Sequence, residues 1–414
     1  MHAVSAPTPL RRNRDFVLLQ AGQLLSTFGS SMSRIAYPLL ALAVTGSAAK
    51  AGYVGAVQFT PLLLFGLAAG VAADRCDRRR LMVLADAAGA LALTVLGVAV
   101  FSHHVPFWLI LAVAFVDGTA SVFYVGAQRG AFRAVVPLPQ LPSAASVSQA
   151  RAAVVRLVAP PVGGALFAIG RALPFLADAV SYAFSTLSAL LMRARFQEER
   201  ERDPAPLRRQ LAEGIAFYSR IPFLRTTLAM ISVSNFTVTG VQLTVIVLAE
   251  REGLSSTTIG LFVAFVGGTT LLGSLATPFV RRILPMRAIL LSEFWAAVGY
   301  VAFLVWPNVY VLAGAFAAQA FCFPNTDAAI MAYNYALIPD RLLGRALSVA
   351  DTLRVLGAPL GPLVAGLLLA SVSARWTVAL LAGATLAITV PATLSRSLRE
   401  TPSLEELTTP ATAG

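Results

Sequence analysis

The chain has 414 residues, of which 57% are apolar and 13% charged, and a formal net charge of +12; its mean hydropathy is +0.74. A soluble globular domain runs at about 45–50% apolar and about 25% charged. These values therefore exclude a disordered chain, a collagen-like or disulfide-stapled protein and a soluble enzyme, and they leave a polytopic helical membrane protein.

Apolar runs of helical length recur in chain order at 16–44, 50–73, 81–102, 105–128, 144–169 and 172–192. After a polar stretch come 224–249, 257–280, 287–306, 308–334, 342–371 and 375–395. Twelve spans of about 22 residues use roughly 265 residues. Short loops fill the remainder. Breaks fall at turn chemistry or charge: Thr45-Gly46-Ser47, Asp77 to Arg80, Gly170-Arg171, Pro307-Asn308 and Ser373 to Arg375. Residues 1–15 are polar and the first apolar run is about twice a signal h-region, so no cleaved leader is expected. Cys76 and Cys322 lie far apart, and neither they nor His2, His103 and His104 have metal-ligand spacing. No disulfide, metal or cofactor is expected.

The only lysine is Lys50; every other basic residue is an arginine. One set of connections carries Arg11, Arg12, Arg14, Arg75, Arg78 to Arg80, Arg129, Arg133, the cluster from Arg193 to Arg225, Arg281, Arg282, Arg287, Arg341, Arg345, Arg396 and Arg399. The opposite set holds little beyond Lys50, Arg171, Arg251 and Arg375. This asymmetry places the basic side and both termini in the cytoplasm. The positive charge is thus a topology signal facing anionic lipid, and no nucleic-acid partner is expected.

Pro137, Ser146, Pro160 and Gly164 recur 202 residues later as Pro339, Ser348, Pro362 and Gly366. Gly70, Arg78 and Arg79 recur 203 residues later as Gly273, Arg281 and Arg282. An offset near half the chain predicts two six-helix bundles in parallel repeat, a transporter plan. The expected domains are an N-terminal bundle at 1–192, a cytoplasmic linker at 193–222, a C-terminal bundle at 223–396 and a tail at 397–414. Pro206 to Phe223 can form an amphipathic helix, read as part of the linker rather than as a membrane-surface anchor.

The connection after span 2, Gly70-Val-Ala-Ala-Asp74-Arg75-Cys-Asp77-Arg78-Arg79-Arg80, resembles the signature loop G-x-L-A-D-R-x-G-R-R of the major facilitator superfamily. Gly70 suits close helix packing, Asp74 a helix N-terminus, and the arginines carboxylates or headgroups. The resemblance covers the whole chain and implies the major facilitator fold, all-α with twelve transmembrane helices in two pseudo-symmetric halves. It also implies that this loop is a conformational latch. Asp77 in place of the second glycine, with Asn13-Arg14-Asp15-Phe16 and Gly170-Arg171-Ala172-Leu173-Pro174-Phe175, resembles the bacterial drug, macrolide and siderophore efflux branch. Ala159-Pro160-Pro161-Val162-Gly163-Gly164 resembles the antiporter element G-P-x-x-G-G. Pro160, Gly163 and Gly164 would kink span 5 and admit a neighbouring helix.

Polar residues inside spans point to cavity or pairing roles. Span 1 carries Gln23, Ser26, Ser30, Ser33, Arg34 and Tyr37. Span 4 carries Asp117, Ser121, Tyr124 and Gln128, and span 7 carries Ser232, Asn235, Thr239 and Gln242. Span 10 adds Gln319, Phe323, Asn325 and Asp327. The sets of spans 1, 4 and 7 each lie on one helical face, and the family resemblance implies that these four spans line the cavity. Helix–helix hydrogen bonding is the competing reading for each residue. Asp117 is the expected proton carrier, with Arg34, Arg151 and Arg156 as the cations that pair with it; a fixed ion pair is the alternative. Asp351 and Arg354 read as a structural or gating pair, Asp178 as a local cap, and Glu293 as snorkelling at the inner end of span 9. Ser30 stands where many proton-coupled exporters of the family have an Asp, and a position near Ala114 where many have an Arg.

The sequence thus reads as a secondary active transporter, not an enzyme. It is expected to be a monomer of the bacterial inner membrane that exports small amphipathic molecules by alternating access, with protons as coupling ion and with lipid around it. No nucleotide-binding loop is present to suggest ATP as the driver. The alternatives are an importer or uniporter of a polar nutrient, or a non-transporting sensor or scaffold.

Overall fold

The computed structural model describes residues 9–194 and 207–399; the central part of the expected linker and most of the expected tail lie outside them. The described residues are helical almost throughout, in the order α1 (Arg14–Thr45), α2 (Ala48–Arg75), α3 (Arg78–Phe101), α4 (Phe107–Val135), α5 (Leu141–Ile169), α6 (Leu173–Leu191), α7 (Leu207–Arg220), α8 (Pro222–Arg251), α9 (Ser256–Ile283), α10 (Met286–Ala296), α11 (Tyr300–Val305), α12 (Val309–Leu337), α13 (Asp340–Arg354), α14 (Gly357–Ser371), α15 (Ala374–Leu394) and α16 (Arg396–Arg399).

Local chemistry sets the helix ends. Asn13 caps α1 by accepting from the Phe16 amide, Asp77 caps α3 by accepting from Arg80, and Asn308 caps α12 by accepting from Tyr310. Gly46, left-handed at φ 62°, ends α1. Because Asp77 is a cap, Arg78 to Arg80 form the first turn of α3; the expected break there is a two-residue corner. The run 287–306 is divided by a 3-10 turn at Ala297–Gly299. The run 342–371 is divided at Val355-Leu356. Just beyond that division stands Pro359, which has no amide hydrogen to give to the preceding turn.

Among the described residues, ten spans are long and apolar enough to cross a membrane. The polar-striped α1 and α12 are 32 and 29 residues long. Trp108, Trp306 and Trp376 are exposed. All three stand at arginine-poor connections, as an interfacial aromatic belt requires.

The chain forms two compact units. The first comprises Met1–Gly46, Val57–Glu201 and Leu254–Ala264; the second comprises Ser47–Ala56, Arg202–Gly253 and Phe265–Gly414. In the first, α1 packs on α4, α5 and α6, and α3 on α4 and α6. In the second, α8 packs on α12, α14 and α15, and α10 on α12 and α15. The same pairing scheme thus appears in each, as the sequence repeat predicts. In the second unit α7 packs on α8 and α13. Its Tyr218 is buried in an apolar cluster with Phe223, Leu224 and Ile330, and Phe217 packs against that cluster.

Candidate functional site

In the first unit, polar faces of α1, α4 and α6 meet. Asp117, half-buried on α4, accepts from the Tyr37 hydroxyl at 3.2 Å and from the Tyr182 hydroxyl at 2.8 Å, one bond to each carboxylate oxygen. The Ser30 hydroxyl donates to Tyr182 at 3.1 Å. Tyr37 and Tyr182 are buried at 1% and 3% exposure. The edge of the Phe175 ring meets Tyr37 at 5.1 Å between centroids, which fixes that phenol from the other side.

The arginines expected beside Asp117 do not pair with it. Arg34 lies near enough to act electrostatically on Asp117 and Asp178, yet its side chain is exposed and makes no ion pair among the described residues. Arg156 is also exposed, one turn before Pro160. Arg151 donates from Nη1 to Gln23 Oε1 across α5 and α1, and its Nε has no acceptor. The reason is positional: Asp117 faces α1 and α6, where hydroxyls are packed against it, while Arg151 and Arg156 rise from α5.

Asp178 does not act as the expected local cap. It is fully buried on α6, where Ser181 donates to it at 3.0 Å. A methyl group at Gly29 would come within 2.3 Å of its Oδ1, so only a glycine lets α1 lie here. Asp86 on α3, absent from the sequence reading, is 1% exposed, and neither of its oxygens has a hydrogen-bond partner among the described residues. Ser185 and Tyr124 face it, and Ser185 donates to Tyr124 at 3.1 Å. The signal for α6 was present as Asp178, Ser181, Tyr182 and Ser185 on one face. Asp86 stands alone in an apolar run and gave no sign of its direction. Ser121 and Gln128 are half-buried on α4.

The second unit uses its polar residues differently. Asn235 donates to the Arg354 carbonyl at 2.7 Å, which ties α8 to the end of α13. Thr239 donates to the Asn235 carbonyl at 2.8 Å and the Ala358 carbonyl at 3.0 Å, and Asn325 to the Gly273 carbonyl at 3.3 Å. The donors of these three, which the sequence reads as cavity candidates, hold backbone at broken or closely packed helices. Gln242 and Phe323 are half-buried. Glu293 is 2% exposed, not snorkelling, and accepts from Ser234. Arg354 pairs with Asp327 and lies 3.9 Å from Asp351. A small cavity bounded by these three also meets Tyr218, Thr227 and Asn334. Burial, with the nearby Asp351 carboxylate, pushes the Tyr218 phenol up to about 12.

At the signature segment, Asp74 and Arg78 pair at 3.5 Å. Arg78 Nε donates to the Ala73 carbonyl at 3.0 Å, and its guanidinium lies against the backbone at Gly130. Arg79 donates to the Met192 and Ala194 carbonyls at 2.6 and 2.9 Å. Arg75, Asp77 and Arg80 are exposed. Gly70, expected at a close approach, has open space where a Cβ would stand; its repeat counterpart Gly273 lies against the Phe321 carbonyl. Pro160 and Pro161 lie within an unbroken α5. Gly163 seats α1 at Met32, and Gly164 seats the start of α9 at Ser256.

Macrolide efflux protein A of Streptococcus pyogenes is 28% identical over 203 residues, 49% of this chain and 50% of that protein. The match spans about half the length of that relative. Multidrug efflux pump Tap of Mycobacterium tuberculosis is 27% identical over 381 residues, 86% of this chain and 87% of that one. Among solved structures, a bacterial homologue of the iron transporter ferroportin in an inward-facing state superposes with a TM-score of 0.74 at 17% identity, covering 95% of this chain and 99% of that one. A bacterial homolog of the human lysosomal transporter Spinster gives 0.70 at 16%, covering 96% and 100%. These likenesses show the fold. Residues 4–411 match the family described as transmembrane secretion effectors, and the chain belongs to this family of major facilitator transporters.

Proposed function

We propose that the protein exports small amphipathic molecules in exchange for protons, by alternating access, as a monomer of the bacterial inner membrane with both termini in the cytoplasm. The observation that carries this reading is Asp117 held by two phenols from two other helices. Each carboxylate oxygen accepts one hydroxyl hydrogen. A proton on Asp117 adds a donor and leaves that oxygen a weaker acceptor, which favours reversal or lengthening of the bond from Tyr37 or Tyr182. Protonation at one atom is thereby coupled to the fit of α4 against α1 and α6, the differential effect on two states that coupling requires. The two efflux relatives, whose names state macrolide and multidrug export, support the direction and the cargo class. The use of Asn235, Thr239 and Asn325 on backbone leaves few polar groups for a sugar-like nutrient and speaks against an importer.

The test is Asp117→Asn in reconstituted vesicles with an imposed pH gradient and erythromycin as probe. The expected result is loss of uphill transport with downhill exchange retained. Uphill transport by Asp117→Asn would assign coupling elsewhere. Asp117→Ala leaves two phenol donors without their acceptor, at about 1–3 kcal/mol each, and so reports stability separately. Reporter fusions at Leu138, Ala205 and the C-terminus are expected to signal cytoplasm, and a periplasmic signal from any one overturns the topology.

A further inference from the structure

Proton exchange at Asp117 leaves another buried acid of the first unit, Asp86, without a role. Its side chain is 1% exposed, and both carboxyl oxygens lack a hydrogen-bond partner among the described residues. At Asp117, by contrast, each oxygen accepts a phenol hydrogen. An ionised carboxylate has acceptor positions only, and Asp117 is supplied with two donors for them. A carboxylate stripped of water and given no donor takes a proton instead. In one bundle, therefore, Asp117 is built to carry charge and Asp86 to carry hydrogen. Environments that separate two acids in this way mark the acid and base positions of a proton-handling site.

The surroundings of Asp86 also hold the means to release that proton. α3 packs on α4 and α6. Tyr124 faces Asp86 from α4 and Ser185 faces it from α6. The Tyr182 ring lies against Gly89, one turn along α3, and Arg151 of α5 acts electrostatically on Tyr124. Ser185 donates to Tyr124 at 3.1 Å. Rotation of this hydroxyl about its Cβ–Oγ bond aims the same hydrogen at Asp86 and gives a carboxylate there its donor. Pointed at Tyr124, the hydroxyl leaves Asp86 an acid; pointed at Asp86, it supports the anion. The helix that bonds Asp117 through Tyr182 thus meets Asp86 through Ser185, one turn on. We propose that Asp86 is a second proton-binding site of the exchange, which takes up and gives up a proton in each cycle with Ser185 as its switch. The Oδ–H bond forms on uptake and breaks on release to water, and no other covalent bond changes. This inference rests on the exporter reading above and adds to it that more than one proton enters for each molecule exported.

The experiment reads the full chain in lipid vesicles in two ways. Infrared spectroscopy without cargo detects the carbonyl stretch of protonated carboxyl groups. Asp86→Asn is expected to remove one such band that wild type and Asp117→Asn both show. That band is expected to fade as the pH is raised, and to persist to higher pH in Ser185→Ala. Transport is read with ethidium, whose charge does not titrate, with the membrane potential clamped at zero. Each coupled proton supports about a tenfold cargo gradient per pH unit. At a pH difference of about one unit, the wild type is expected to hold about a hundredfold ethidium gradient and Asp86→Asn about tenfold, with Ser185→Ala shifted towards Asp86→Asn. Erythromycin replaces ethidium if it alone is transported. Thermal unfolding checks each variant, and Asp86→Leu, apolar and of similar size, replaces Asp86→Asn in both measurements if the latter is not folded. Equal bands in wild type and Asp86→Asn, or a band indifferent to pH, overturn the inference. So does the same cargo gradient in both proteins: Asp86 is then a permanently protonated structural acid, and the exporter reading stands. A wild type that concentrates neither probe removes the exporter reading, and the infrared bands alone then decide whether Asp86 takes and releases a proton.

Discussion

In the first unit Arg34 and Arg156 stand exposed without a carboxylate beside them, whereas in the second Arg354 is held between Asp327 and Asp351. The helices pair by the same scheme in both, so duplication has kept the packing and not the placement of charge. Hydroxyls differ in emphasis. In the first unit Tyr37, Tyr182 and Ser181 converge on carboxylates. In the second, Ser234 meets the carboxylate of Glu293, while Thr237 bonds to the Leu381 carbonyl at 3.0 Å and to Thr385 at 2.6 Å, locking α8 to α15. The proposed proton carrier accordingly stands in the first unit, and the threonines of the second clamp helices. Substitutions at repeat-related positions test that division.

The largest contrast is expected at Gly70 and Gly273. A Cβ at Gly273 would lie 2.0 Å from the Phe321 carbonyl oxygen, while Gly70 has nothing within 4 Å. A backbone oxygen yields little, so Gly273→Ala must push α9 from α12, at about 1–3 kcal/mol or more. Folded yield and thermal unfolding in detergent are expected to fall for Gly273→Ala and to hold for Gly70→Ala. Equal stability of the two variants would break the comparison.

A smaller contrast concerns the arginines that open α3 and α10. Arg79 donates to two carbonyls just beyond α6, Met192 and Ala194, and Arg287 to one near the end of α15, Thr393, at 2.6 Å. Bonds from a charged donor are worth about 1.5–3 kcal/mol each. Arg79→Ala is therefore expected to lower stability more than Arg287→Ala, with Arg79→Lys recovering part of the loss. The same unfolding measurement reads both, and a reversed order would show that the carbonyl bonds are not what these arginines contribute.

What the sequence made legible follows from periodicity. Span positions and the faces of α1 and α4 could be read because polar residues repeat at steps of three and four. Asp117 was found for that reason, but its partners were not: a stripe specifies a face and says nothing of which neighbour meets it, so arginines were expected where phenols stand. Asp86 and Glu293 are single acids in apolar runs, where hydropathy alone cannot distinguish a buried carboxyl from one that reaches the headgroups. The Asn235 and Thr239 stripe was legible as a face, yet its use as a clamp depends on the division at Val355-Leu356. The sequence carries that division only as the Gly357, Pro359, Gly361 and Pro362 cluster.

The smallest expected effect on stability, and the one most informative about mechanism, is at Asp74. Its side chain is 67% exposed and pairs with Arg78 at 3.5 Å, one turn on in sequence. Such a pair contributes about 0–1 kcal/mol in water and less with salt. Arg78 is also held by the Ala73 carbonyl, so removal of the carboxylate leaves the start of α3 anchored. Asp74→Ala is therefore expected to express and unfold like the wild type. The resemblance of 70–80 to the facilitator signature nevertheless implies a latch at this acid, active in the switch between states rather than in the resting fold. If so, Asp74→Ala lowers the rate of pH-driven erythromycin transport without altering thermal stability, and Asp74→Glu restores it. Wild-type transport kinetics in a well-folded Asp74→Ala protein would reduce Asp74 to an ordinary surface partner of Arg78, and the signature segment to a topology signal with a helix cap.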